Sequence, residues 1–351
     1  MGFLLVASIN AYNTPMVRTE PQEFRAVSNI EPVKAEEETT QVETVVEEPI
    51  PTEEDVSTYE YEEPAYVEPW NIYKYCPVSI NGNVFYCSNL DNPGSVTDGI
   101  FLNNGTKVLG TTPGSWDSAQ VCDPSVISGS FNYNGENYCY LMAYLGCVTY
   151  DCTNNEIGFA VSNDLVNWVK TGKVISAAWD GAWGVGQPCL INKDGNVILF
   201  YTSGTVSKTT TYAIRLNCSN LNNIGYLESC EIRVPDFHVS NADFAIEGDY
   251  LYITCDTHPF SGGNLNFISD AQSIYRTPFT SADLNTFSNN WELVARIGSE
   301  TTGHLKNHNA GFIRDGYGNL IYHGLLVTTG DDLGTDFLTN LWTYRYMEVG
   351  F

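Results

Sequence analysis

The stretch VCDPSVISGSFNYNGENYCYLMAYLG, Val121 to Gly146, decides the fold. Asp123-Pro124 opens a short apolar run that ends at Ile127, the turn-rich NYNGEN follows, and a second run packed with tyrosine and leucine returns. Two apolar runs of strand length about an Asn/Gly turn read as a β-hairpin. The pattern recurs along the chain. CPVSI ends at Ile80, DPSVI at Ile127, QPCLI at Ile191, ADFAI at Ile246 and NAGFI at Ile313. Each run is followed by a turn and then by an aromatic-rich strand: VFYCS, YCYLMAYLG, VILFYTSG, YLYITCD or LIYHGLLVT. Copies at roughly 45 to 65 residues have the spacing of β-propeller blades. With no helical periodicity after Asn71, the expectation is an all-β fold, a five-bladed β-propeller of four-stranded blades over residues 71–351.

The segment before it is different in kind. Residues 1–16 begin with the apolar run MGFLLVASINA, which reads as a signal peptide without its basic start and is too short to span a bilayer. Residues 17–70 are rich in Glu, Pro, Thr and Val. Like charges repel and no period supports a packed face, so this acidic N-terminal segment reads as a disordered spacer, with an acidic interaction tail as the alternative. Residues 18 to 68 carry 16 acidic and 3 basic residues, half of the net charge of -26. No Lys/Arg cluster offers a footprint for phosphate, so nucleic acid is not an expected partner. Neither is an anionic membrane surface, and no membrane insertion is expected.

The 10 cysteines point to an oxidising, extracellular setting. About the Asn81-Gly82 turn, Cys76 counts opposite Cys87 and the two read as a pair. Cys147 with Cys152 would close the GCVTYDC loop, and Cys218 with Cys230 reads as a third pair.

In a propeller the first strand of each blade lines the central channel. Its start therefore faces the channel mouth, where the long connections TTPGSWDSAQ, SAAWDGAWGVG, GCVTYDCTNNE and GSETTGHLKNHN also lie. Long loops on a rigid scaffold carry function. The positions equivalent to Asp123 are Cys76, Gln187, Ala242 with Asp243 beside it, and Asn309 with His308 beside it. A convergent polar ring is what a ligand site needs. Asp123 alternatively only caps backbone N–H groups. Trp116, Trp179 and Trp183 read equally as a sugar-stacking platform or as packing between blades. No Cys or His spacing of a zinc site is present, so no metal or cofactor is expected; an axial ion such as calcium, held by His308, is the one allowance.

DPSVI, its aromatic partner strand and FAVSNDLVNW (Phe159 to Trp168) together resemble the five-bladed propeller glycosidases of glycoside hydrolase family 43 and its relatives, families 32, 62 and 68. That resemblance implies a secreted hydrolase of plant-type or fructan-type glycans with arabinofuranosyl, xylosyl or fructosyl linkages. It also implies inner-strand carboxylates as acid, base and pKa modulator. Asp123 matches the family's DP carboxylate. Gln187 stands where a second acid is expected, a departure. Glu247 resembles an EG signature but begins the far-face turn. Asp243 and Glu156 are the better candidates, so the expected catalytic set is Asp123, Asp243 and Glu156. Gln187, His308, Asn309, Trp116, Trp179 and Trp183 are the expected contacts to an oligo- or polysaccharide, and the chain is expected to be a monomer. The alternatives are a non-catalytic carbohydrate-binding propeller and a structural or protein-binding one.

Overall fold

Asn81 and Gly82 sit at the tip of the first hairpin with φ +48 and +79, the left-handed pair that a two-residue turn between twisted strands demands. Around that tip the strands meander. The structure, a computed structural model, describes residues 71–351 except 151, 178–182, 194, 206–207, 235–238, 240, 258–268, 280–283, 285–288 and 332–340. The expected signal peptide and acidic spacer, and Trp179, lie outside the described residues.

Blade one holds β1 (Lys74–Ile80), β2 (Asn83–Ser88), β3 (Gly99–Leu102) and β4 (Lys107–Leu109). Blade two holds β5 (Gln120–Tyr133), β6 (Glu136–Cys147), β7 (Glu156–Ser162) and β8 (Trp168–Ile175). Blade three holds β9 (Gly184–Lys193), β10 (Asn196–Thr205), β11 (Lys208–Asn217) and β12 (Gly225–Ile232). Blade four holds β13 (Asp243–Glu247), β14 (Tyr250–Thr257), β15 (Ala271–Pro278) and β16 (Glu292–Ile297). A short helix α1 (Ser299–Thr302) leads to β17 (Lys306–Arg314), β18 (Leu320–Gly330) and β19 (Arg345–Gly350) of blade five. Every sheet runs in sequence order from the channel outward, antiparallel throughout. Among the described residues blade five has three strands rather than the four expected. The inner strands close a ring, β1 against β5, then β9, β13, β17 and back to β1. The fold is the expected five-bladed propeller.

The apolar runs that marked the repeat become the inter-blade core. Ile127, Phe159 and Leu199 pack between blades two and three, while Cys189, Phe200, Phe244 and Leu251 pack between three and four. Each interface buries residues from two sheets, so no blade has a private core. The FAVSNDLVNW stretch is explained by the fold. Asp164 accepts the backbone N–H groups of Val166 and Asn167 at 2.9 and 2.7 Å, closing the turn from β7 to β8. Trp168 packs edge-on against Phe85.

Two features close the channel. The Asp315–Asn319 turn of blade five lies across its far end. The carbonyls of Arg314, Gly316, Tyr317 and Gly318 accept the N–H groups of Asn81, Ser128, Asn192 and Ile246, one from each of the other four blades. Gly316 is obligatory there, because a Cβ would stand 2.1 Å from Ser128 Oγ. Above this turn the fully buried Arg314 crosses the channel. Its guanidinium donates to the carbonyls of Leu190 and Phe244 at 3.4 and 2.7 Å and to Ser125 Oγ at 2.9 Å. Asp243 is its counter-ion, at 3.3 Å. A buried ion pair broken on one side leaves an uncompensated charge. Arg314→Met is therefore expected to lower stability by roughly 3–5 kcal/mol, measured by urea denaturation. Arg314→Lys is expected to recover little of it, since a single ammonium cannot serve acceptors on three blades.

Candidate functional site at the channel mouth

At the mouth the repeat produces a backbone feature that spacing alone does not show. Cys76, Asp123, Gln187, Asn241 and Asn309 all have φ between +45 and +53. None is glycine, so each accepts a left-handed conformation that costs non-glycine residues energy. The residue after each is Pro or Ala, and in blades one, two, three and five the strand register shifts there. The kink turns one side chain per blade toward the axis. In blade four that residue is Asn241, correcting the expected Ala242: this inner strand carries one more residue between kink and turn than the alignment on Ile246 allows.

Hydrogen bonds join these side chains into a circuit. The Gln187 backbone N–H is near enough to Asp123 to favour its charged form. Gln187 pairs with Asn241, accepting its backbone N–H at 2.7 Å and donating to its Oδ1. Asn241 donates to Asp256 Oδ2 at 2.6 Å. Asp256 Oδ1 accepts the N–H of Asn309 at 2.9 Å. Asn309 Nδ2 returns to Asp123 Oδ1 at 3.5 Å and also reaches Cys76 Sγ. His308 hangs on this circuit with its Nδ1 2.6 Å from Asp256 Oδ2 and its ring 5.9 Å from that of Tyr344. A carboxylate on Nδ1 fixes the ring's orientation and tautomer.

Asp123, half-buried, is the carboxyl in this ring that reaches solvent. Burial raises its pKa, against the opposing effects of the Cys76 hydrogen bond and the His308 charge. Asp98 lies behind it, its two oxygens accepting the hydroxyls of Tyr73 and Tyr75 at 2.6 Å each. Burial lifts Asp98 to about 7, with the Asp123 charge adding to the rise and the tyrosines opposing it.

The expected site residues are thus only partly brought together. Asp123, Gln187, Asn309 and Asp243 line one shallow pocket, and His308 adjoins it through Asp256. Asp243 stands deeper than Asp123, its Oδ2 accepting the Phe312 N–H at 2.8 Å and its Oδ1 facing Arg314. Glu156 is apart from the pocket, paired with Lys173 at 2.8 Å. Trp116 is a packing residue: its ring stacks on Tyr144 at 5.5 Å and fills the space beside Gly146 and Gly158. Trp183 is half-buried with its ring edge beside Gly186. Glu247 is exposed at the far end of β13, bound to His323 and Tyr252. Reading the sequence missed Asp256, Asp98 and Asn241. The acid that closes YLYITCD at the mouth end of its strand was the available signal for Asp256.

The cysteines also depart from expectation. The disulfide joins Cys87 to Cys122, because the kink at Cys76-Pro77 puts Tyr75 opposite Cys87. Cys147 and Cys152 are unbonded, as are Cys218 and Cys230, which face different inter-blade cores.

No family model matches the sequence, and no curated protein does. Solved structures match the fold. An α-L-arabinofuranosidase from Lactobacillus brevis superposes with TM-score 0.55 at 9% identity, over 81% of this chain and 92% of that one. An arabinanase from Bacillus subtilis gives 0.52 at 15%, over 80% and 96%. A family 117 glycoside hydrolase from the marine bacterium Zobellia galactanivorans gives 0.51 at 10%, over 80% and 84%. The fold is that of five-bladed propeller glycoside hydrolases.

Asp98 makes stability pH-dependent. Its folded pKa of about 7 lies well above the ordinary aspartate range, so the folded state holds its proton more tightly than the unfolded one. The group's contribution is most favourable below pH 4 and declines as pH rises toward 7. Denaturation midpoints measured from pH 4 to 8 are expected to fall by the equivalent of about 4 kcal/mol at most. Asp98→Asn is expected to flatten that slope.

Proposed function

We propose that the channel mouth is a glycan site and that the chain is a glycosidase of the propeller type, with Asp123 as its general acid. The observation that carries this reading is Asp123 itself: a solvent-reaching carboxyl whose burial favours the protonated form, set in a closed polar circuit. An acid that must deliver a proton to a glycosidic oxygen needs that environment. Asp243, lining the same pocket 3.3 Å from the Arg314 guanidinium, is the candidate for the second carboxyl role. Because the far end is closed, a glycan enters and leaves by the mouth. The arabinose-processing names of the matched structures support an arabinofuranosyl glycan as the first substrate class to try, followed by xylosyl and fructosyl ones.

A second reading, glycan binding without turnover, is favoured by specific contacts. Gln187 replaces an acid in the ring, both Asp243 oxygens are engaged, and Glu156 is tied to Lys173 outside the pocket.

Hydrolysis of p-nitrophenyl arabinofuranoside and xyloside, arabinan and fructan is the deciding measurement. Turnover of one substrate is expected, falling by ~10²–10⁴ in Asp123→Asn, with kcat/KM declining on the alkaline side as the acid loses its proton. Retention on an arabinan gel without turnover, lost in Asp123→Asn, establishes the second reading. Neither turnover nor retention on any glycan overturns both.

A further inference from the structure

Three cysteines, more than a disulfide uses, converge behind the mouth. Cys76 of β1, Cys87 of β2 and Cys122 of β5 present their sulfurs together with an Asp123 carboxylate oxygen, and these four atoms all lie within 4.8 Å of one another. Tetrahedral zinc, with Zn–S bonds of about 2.3 Å, spaces its ligand atoms by about 3.8 Å. The positive φ of Asp123 lets two consecutive side chains point to one spot, with Cys122 Sγ 3.4 Å from Asp123 Oδ1. The kink at Cys76 brings in the third sulfur from the neighbouring blade.

A second observation is independent of this spacing. Each sulfur has a polar group set against it. Asn309 Nδ2 donates to Cys76 and the Asp123 N–H donates to Cys87 at 3.1 Å, while Cys122 Sγ lies 3.2 Å from the Tyr75 oxygen, whose proton goes to Asp98. Disulfide sulfurs are weak acceptors, whereas metal-bound thiolates are held and tuned by such donors. A further carboxylate stands beside the spot, Asp98, which accepts the Tyr75 hydroxyl. Tyr73, Leu145 and Tyr344 wall the spot on its core side. Once the disulfide is reduced, three thiols and a carboxylate share that spot, a donor set that suits a cation.

We propose that, in the reduced chain, Cys76, Cys87, Cys122 and Asp123 form a binding site for one thiophilic divalent cation of the zinc type, a site that the Cys87–Cys122 disulfide abolishes. The chemistry balances. A dithiol reductant gives two electrons to the Cys87–Cys122 bond, becomes a disulfide, and leaves its two protons on the freed sulfurs. The cation then displaces the thiol protons of Cys76, Cys87 and Cys122 into solvent and takes a carboxylate oxygen of Asp123. Soft sulfur donors select zinc-type ions over calcium or magnesium. Oxidation and metal binding are thus alternative states of the same sulfurs.

The test reads metal rather than glycan, so it fails or succeeds apart from the glycosidase reading. The whole chain is reduced with dithiothreitol, desalted anaerobically and titrated with cobalt(II). One equivalent is expected to bind with intense near-ultraviolet sulfur-to-cobalt absorption and the visible bands of tetrahedral cobalt, and zinc is expected to displace it. The chain with its disulfide intact is expected to bind none. Cys76→Ser is expected to weaken cobalt binding at least tenfold, and Cys139→Ser, at an exposed cysteine on β6, to leave it unchanged. Tryptophan fluorescence during urea unfolding checks that each variant folds. A reduced wild-type chain that takes up no cobalt, or one whose cobalt spectrum survives Cys76→Ser unchanged, overturns the proposal.

Discussion

The guanidinium of Arg314 is the constraint on which the rest of the molecule depends. A propeller of five blades leaves an axial hole, and a hole must be filled by side chains or water. Here one arginine fills it. The charge is fully buried, which is costly unless every donor finds an acceptor and a counter-ion stands close. Ser125, Leu190, Phe244 and Asp243 partner its two terminal nitrogens from three blades, and Nε is left without an acceptor among the described residues. The blades are thereby held at fixed distances from one axis, and the mouth residues inherit that precision. Asp243 serves the plug and the pocket at once, which is why its place deeper than Asp123 matters for any chemistry assigned to it.

The second constraint is the set of left-handed residues above the plug. Five strands that were fully extended to their ends would send alternate side chains into the blade cores. A single residue at positive φ breaks the alternation once per blade and directs a polar group to the axis. Asn and Asp tolerate this conformation best. Cys76 and Gln187 hold it as well, so the surrounding packing imposes it. Strain of this kind persists where neighbouring structure over-determines the backbone. The circuit from Asp123 through Gln187, Asn241, Asp256 and Asn309 is the over-determination that can be named.

Much of this was legible in the sequence and some was not, for identifiable reasons. The repeat of apolar run, turn and aromatic strand gave away the blades, because each blade buries the same faces. Asp123, Gln187 and Asn309 were legible as ring members because Pro or Ala follows a polar residue at one register. Asn241 was displaced by one extra residue in β13, and no alignment on the terminal isoleucine could show it. The Cys76 to Cys87 pairing failed on the same kink that builds the ring, since counting outward from the Asn81-Gly82 turn assumes an unbroken ladder. Asp256 comes from a second strand, whose mouth-facing end the repeat pattern does not weight. Trp116 was open between platform and packing, and two glycines on neighbouring strands, Gly146 and Gly158, decide it by vacating the space its ring fills.

The closing turn at Asp315–Asn319 has a consequence for how the molecule is made. Every element that seals the ring belongs to the last blade: the arginine plug, the turn beneath it, and the Asn309 and His308 arms of the mouth. A ribosome delivers residues at about 5–20 per second from the amino end. For that whole interval the first four blades lack the neighbour that closes the ring between β13 and β1. Only release of the carboxyl-terminal strands allows β17 to dock on β1 and the backbone of blade five to take up one N–H from each earlier blade. The keystone therefore follows the four blades it locks, and a chain cut short before it has blades but no axis.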